Sequence, residues 1–218
     1  ATHSNFYPAA FGLVPAEKSK AVTDYILQRG MACSAFGSQF LIDGLFRQGR
    51  GAEGIKMMES GAKRSWVNMM RNGATITMED WDLEFKPNLD WNHAWATAPA
   101  NIAFRDILGI MPTAPAYGVF LVYPQIGTLK HVSGHTTTLR GVIRESITVT
   151  EKKIRFTIEV PANSIADISL ANITADFNSR GIRQAKANGK NVPIDRLTSF
   201  DASYTVGSGK HVIELICR

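Results

Sequence analysis

The sequence predicts an α+β multidomain chain, a helical first part followed by an antiparallel β-sandwich. Three observations carry this. From Thr2 to about Asp106, apolar residues recur at helical spacing between helix start and stop signals. From Gly118 onward the apolar spacing becomes two. Between them lies Met111-Pro112-Thr113-Ala114-Pro115, a stiff link that divides the chain into residues 1–113 and 114–218.

Ser4 to Phe11 reads as the tail of a helix closed by Gly12, and Pro15 opens the next. Ala16 to Arg29 sets Ala21, Val22, Tyr25 and Ile26 on one face and Glu17, Lys18, Lys20 and Asp24 largely on the other. This is a surface helix with one buried face, stopped by Gly30. Gln39 to Arg47 continues the rhythm through Phe40, Leu41, Gly44 and Leu45. Gly44 costs about 1 kcal/mol of helix propensity relative to alanine, and close packing on a neighbour explains its use. Ala52 to Met58 and Arg64 to Arg71 are further helices, the second stopped by Asn72-Gly73. Ala98 to Leu108 resumes the spacing until Gly109 and Pro112. The result is about six helices arranged as αα-hairpins.

Beyond the link, Val119 to Tyr123 is a short buried run. Ile154, Phe156, Ile158 and Val160 alternate with Lys153, Arg155, Thr157 and Glu159, which gives a strand with one buried face. Further strands are expected at Leu129–Thr138, Gly141–Val149, Ile165–Leu170, Ala202–Val206 and His211–Cys217, with turns at Ala187-Asn188-Gly189-Lys190 and Gly207-Ser208-Gly209.

Composition excludes several classes. The net charge of +5 is spread along the chain, so no nucleic-acid partner is expected. No apolar run approaches the roughly 18 residues of a membrane span. Ala1 to Phe11 lacks the basic start and apolar stretch of a signal peptide. Cys33 and Cys217 have no ligand spacing and read as buried thiols. The histidines His3, His93, His131, His135 and His211 form no metal motif, and Asp80, Asp82 and Glu84 lack the glycine and spacing of a calcium loop. Neither metal nor cofactor is expected.

Periodicity fails between Gly73 and Trp95, GATITMEDWDLEFKPNLDWNHAW. This stretch holds Trp81, Trp91 and Trp95, the acids Glu79, Asp80, Asp82, Glu84 and Asp90, and His93. So long an aperiodic segment in a helical domain is functional or disordered, and disordered segments are poor in aromatics. Aromatic faces beside carboxylates suit a sugar, the rings stacking on its C–H faces and the acids taking its hydroxyls. The residue types alone equally fit a surface loop anchored by tryptophans, with solvated acids; for His93 a core histidine paired with a backbone carbonyl is the lesser alternative.

The order and spacing of these residues resemble a known family. G-A-T-I-T-M-E-D-W-D (Gly73–Asp82), D-W-N-H-A-W (Asp90–Trp95), A-P-A-N-I (Ala98–Ile102) and L-G-I-M-P (Leu108–Pro112) closely resemble the C-terminal portion of glycoside hydrolase family 78, the α-L-rhamnosidases. F-G-S-Q-F (Phe36–Phe40), S-W-V-N-M-M (Ser65–Met70), Y-P-Q-I-G-T-L-K-H (Tyr123–His131) and T-L-R-G-V-I (Thr138–Ile143) fit the same order. The resemblance runs to about Val160.

It implies an inverting glycosidase that releases α-L-rhamnose from rhamnose-containing glycans or glycosides and is built on an (α/α)6 toroid. Glu79 would be the general base, with His93, Trp81 and Trp91 contacting the sugar. Met78 and Asp80 stand where the family often has Trp and Arg, so the subsite shape differs. A complete toroid has about twice the helices read here, and the family's general acid lies upstream of its glutamate motif. The chain thus resembles the C-terminal half of the barrel plus the sandwich, and it would need the upstream half or self-association to cover its helix faces. Two alternatives stand: a non-catalytic structural or carbohydrate-binding remnant, and a related (α/α)6 glycosidase for another sugar. A periplasmic or secreted address is implied only by the resemblance.

Overall fold

The computed structural model describes residues 1–176, 181–201 and 203–217, and divides into two compact units, Ala1–Ala103 and Phe104–Arg218. The first contains α1 (His3–Ala10), α2 (Ser19–Arg29), α3 (Ser38–Arg47), α4 (Gly51–Met58), α5 (Trp66–Arg71) and α6 (Ala98–Ile102). Their ends follow the sequence signals. Gly30 closes α2 at φ 60°, and Gly73 turns the chain after α5 at φ 90°. Ser65 starts α5, its Oγ accepting the Asn68 N–H at 3.0 Å. Gly44 lets α3 approach α1, since a methyl there would lie 3.0 Å from Ala9 Cβ and 3.2 Å from the Phe6 carbonyl. Phe6, Ile26, Leu41, Ile42, Leu45 and Phe46 fill the core so formed.

The second unit holds β1 (Ile110–Pro112), β2 (Val119–Val122), β3 (His131–Thr138), β4 (Gly141–Val149), β5 (Lys153–Val160), β6 (Ile165–Ile168), α7 (Ala171–Asp176), β7 (Ile182–Ala187), β8 (Lys190–Val192), α8 (Asp195–Thr198), β9 (Tyr204–Val206) and β10 (Gly209–Cys217). The strands form two sheets, ordered β1-β2-β6-β9 and β3-β4-β5-β10-β7-β8, which share one apolar core including Phe120, Val122, Ile147, Phe156, Ile168 and Leu215. The β2–β6 pair is parallel because the chain crosses to the other sheet for β3–β5 before returning. The other pairs are antiparallel. Asn188 (φ 49°) and Gly189 (φ 79°) make the tight turn between β7 and β8. Ala202, the first residue of the strand expected at Ala202–Val206, lies outside the described residues.

The boundary between units falls earlier than the proline-bearing link suggests. Ile110, Met111 and Pro112 pair with Val122, Leu121 and Phe120, and Leu108 and Ile110 lie in the sandwich core, so the link belongs to the second unit. Both cysteines are buried, and burial pushes the Cys33 thiol up to about 12. No helix among the described residues is long and apolar enough to cross a membrane.

One inward position of the sandwich breaks the pattern. β4 buries Ile143, Ile147 and Val149, and between them Glu145, 3% exposed, with neither carboxylate oxygen hydrogen-bonded.

Candidate active site

The aperiodic stretch folds back on itself. The His93 N–H donates to the Thr77 carbonyl at 2.8 Å, Thr77 Oγ1 donates to the His93 carbonyl at 2.8 Å, and the Glu79 N–H donates to the Asp90 carbonyl at 2.9 Å. These bonds set residues 77–79 beside residues 90–93. Asp82 organises the turn between them. Its carboxylate accepts from Asn68 Nδ2 at 2.9 Å, Asn72 Nδ2 at 3.2 Å and the Glu84 N–H at 3.0 Å, which ties the loop to α5 and its end. The Asp82 carbonyl accepts the Phe85 N–H at 3.0 Å and the Lys86 N–H at 3.3 Å. Lys63 pairs with Glu84, and the Arg64 guanidinium lies 4.6 Å from the Phe85 ring centre.

Glu79 sits between two buried anchors, Met78 and Trp81, yet keeps 15% of its own side chain exposed. Lys86 Nζ donates to its Oε1, and the Asp90 N–H donates to its Oε2 at 3.1 Å. The Lys86 bond, followed by the Asp90 amide, holds the carboxyl below the usual glutamate range. His93 Nδ1 is 3.6 Å from Asp90 Oδ2, and its ring lies 4.1 Å from that of Trp95, which in turn meets Phe36 at 5.6 Å. Ligand atoms of Glu79, Asp90 and His93 all fall within 4.8 Å of one another. A small cation would fit such a spacing, but Lys86 and the Asp90 amide already engage both Glu79 oxygens, so the group reads as a hydrogen-bonded cluster. It offers an ionised carboxylate that can take a proton from water and an imidazole that can donate to or accept from a hydroxyl.

The fold brings Glu79 and His93 together, with ligand atoms within 4.8 Å of one another. Trp91 is half-exposed on the arm that carries Asp90 and His93. Trp81 is corrected: its ring is fully buried, stands edge-on to Trp66 at 5.0 Å, and donates Nε1–H to the Cys33 carbonyl at 2.8 Å. A ring with no accessible face cannot stack on a sugar. Trp81→Phe therefore lowers stability by about 1–3 kcal/mol by orphaning that buried carbonyl; thermal melting checks this. Lys86 and Trp95 were missed as members of the site. The turn residues Lys86-Pro87-Asn88 were the signal that the two arms return to each other, which is what carries Lys86 back to Glu79.

Residues 1–107 match the family described as the bacterial alpha-L-rhamnosidase 6 hairpin glycosidase domain, and residues 109–182 match the bacterial alpha-L-rhamnosidase C-terminal domain. The chain belongs to the bacterial α-L-rhamnosidase family that these two models describe. Solved α-L-rhamnosidases share its fold. The protein from Dictyoglumus thermophilum is 19% identical with a TM-score of 0.81, covering 99% of this chain and 25% of its own. The Streptomyces avermitilis α-L-rhamnosidase, complexed with L-rhamnose, is 19% identical with a TM-score of 0.77, covering 98% of this chain and 21% of its own. That from Aspergillus terreus is 20% identical with a TM-score of 0.73, covering 98% and 24%. This chain thus spans a quarter or less of the solved α-L-rhamnosidases it matches. No curated protein sequence matches it.

Proposed function

We propose that this chain supplies the water-activating side of an inverting α-L-rhamnosidase site. The observation that carries this reading is Glu79, held ionised by Lys86 and the Asp90 amide and set by backbone pairing beside His93. Glu79 takes a proton from a water that attacks the anomeric carbon, while His93 and the half-exposed Trp91 meet the sugar. An inverting pair needs carboxyls roughly 6.5–9.5 Å apart to hold that water. Asp90 falls inside this separation from Glu79, within 4.8 Å, so it serves the sugar hydroxyls and not the leaving group. The proton donor then comes from the part of the relatives' length that this chain does not span, or from a second copy. The same missing part covers apolar side chains such as Met70 and Ile76, which are exposed here.

A second reading, a non-catalytic carbohydrate-binding or structural role for the chain by itself, is favoured by that same partial span. The deciding experiment follows p-nitrophenyl α-L-rhamnoside by proton NMR, with the intact protein and with these 218 residues alone. The intact protein is expected to release the β-anomer first, and the chain alone to be inactive. Release of the α-anomer would point to Asp90 as a partner of Glu79 in a retaining mechanism. No hydrolysis by the intact protein would leave the binding role.

A further inference from the structure

We propose that Lys86 is a positioning residue for Glu79, its ammonium fixing the carboxylate's orientation and keeping it ionised beside a second carboxylate. The inference deepens the reading of Glu79 as the base and rests on it.

Three observations converge. First, the two Glu79 oxygens have different donors, Lys86 Nζ on Oε1 and the Asp90 N–H on Oε2, so rotation of the carboxylate would break both bonds. Each oxygen has two lone pairs and keeps one acceptor site for water. Second, Lys86 is delivered by a backbone tied on both sides. Its N–H donates to the Asp82 carbonyl at 3.3 Å, its own carbonyl accepts the Leu89 N–H at 3.1 Å, and Leu89 is buried. Asp82, anchored by Asn68 and Asn72, therefore sets where the ammonium can reach. Third, the charge balance requires a cation. The titratable groups facing Glu79 are Lys86, Asp90 and His93, and Glu79 and Asp90 approach within 4.8 Å. Two carboxylates so close resist joint ionisation unless a positive charge stands with them. His93 is charged only when protonated, whereas the Lys86 ammonium is the cation paired directly with Glu79.

The test has two arms. In the 218-residue chain, the side-chain carboxyl carbon of Glu79 is titrated by NMR and assigned by its loss in Glu79→Gln. Lys86→Met is expected to move the midpoint upward by about 1 pH unit, while Lys86→Arg keeps it low. In the intact protein, the acidic limb of kcat/KM on p-nitrophenyl α-L-rhamnoside should move upward by the same amount in Lys86→Met and return in Lys86→Arg. Lys86→Gln serves in place of Lys86→Met if the latter fails to fold. A Glu79 midpoint that stays put overturns the proposal. So does a midpoint that moves while the limb does not; that result together with full activity of Glu79→Gln would overturn the base assignment as well, whereas an unmoved midpoint would leave it standing.

Discussion

Glu79→Gln in the intact protein is expected to lower kcat on an aryl α-L-rhamnoside by about 10²–10⁴-fold, with KM little changed. Glutamine keeps the shape of the side chain, and its one carbonyl oxygen can still accept from Lys86 or from the Asp90 N–H though not from both; the bonds that pair residues 77–79 with residues 90–93 do not use this side chain, so the loop survives. What it loses is the ability to take a proton from water. The loss therefore falls on the chemical step and not on sugar binding, and kcat and kcat/KM fall together. A pH dependence follows from the same contacts. Lys86 and then the Asp90 amide hold the Glu79 carboxyl below the usual glutamate range, so the acidic limb of the rate profile is displaced toward lower pH. The stability these contacts add runs in the same direction: it is present above the unfolded value and lost as pH falls through the folded one. Wild-type rate retained by Glu79→Gln would remove Glu79 from the chemistry. Exogenous azide or formate, small enough to stand in for a missing base, would restore part of the rate if the assignment is right.

The parts of this molecule that were legible in the sequence are those set by local rules. Gly30, Gly73 and the Asn188-Gly189 turn specify positive φ, and the structure uses each of them so. Gly44 specified a close helix contact and meets Ala9 and Phe6. The alternation in Ile154 to Val160 specified one buried face, which is where these side chains lie. The site was legible as a set of residue types, but not in its geometry. Trp81 and Trp91 are one chemical type ten positions apart, and only packing decides that one seals the core against Trp66 while the other faces water. Lys86 looked like one more scattered charge, because its role depends on a chain reversal held by three non-local hydrogen bonds. The unit boundary was misplaced for a related reason. Prolines mark stiffness, but whether a stiff segment links two units or edges a sheet is settled by what Leu108 and Ile110 pack against.

Glu145 leads to the second large effect, on stability. Its inward neighbours on β4 are Ile143 and Ile147, it stands opposite Gly134 on β3 and Ile158 on β5, and Leu108 covers Gly134. The opposite sheet contributes Ile110, Phe120 and Val122 to the same core. None of these carries a charge or a side-chain donor, and burial alone pushes the Glu145 carboxyl well above the usual glutamate range. The sign is then fixed. In the unfolded chain the group releases its proton in the usual glutamate range, whereas in the folded unit it keeps it, so the folded state binds more protons and stability falls as pH rises. The limiting slope for one proton is about 1.4 kcal/mol per pH unit, and it begins at the unfolded value and ends only where the folded carboxyl ionises. Denaturation of the second unit, followed by amide exchange in β4 and β5, should therefore give less protection at pH 8 than at pH 5. Glu145→Gln should flatten that dependence. Glu145→Leu, which removes the unpaired polar group from an apolar site, should raise stability at pH 8 by on the order of 2 kcal/mol. All four tryptophans lie in the first unit, so their fluorescence reports that unit separately and should not follow the Glu145 titration. Equal protection of β4 at both pH values, or a loss of stability in Glu145→Leu, would mean that the carboxylate finds a partner in solution and is ionised within the folded sandwich.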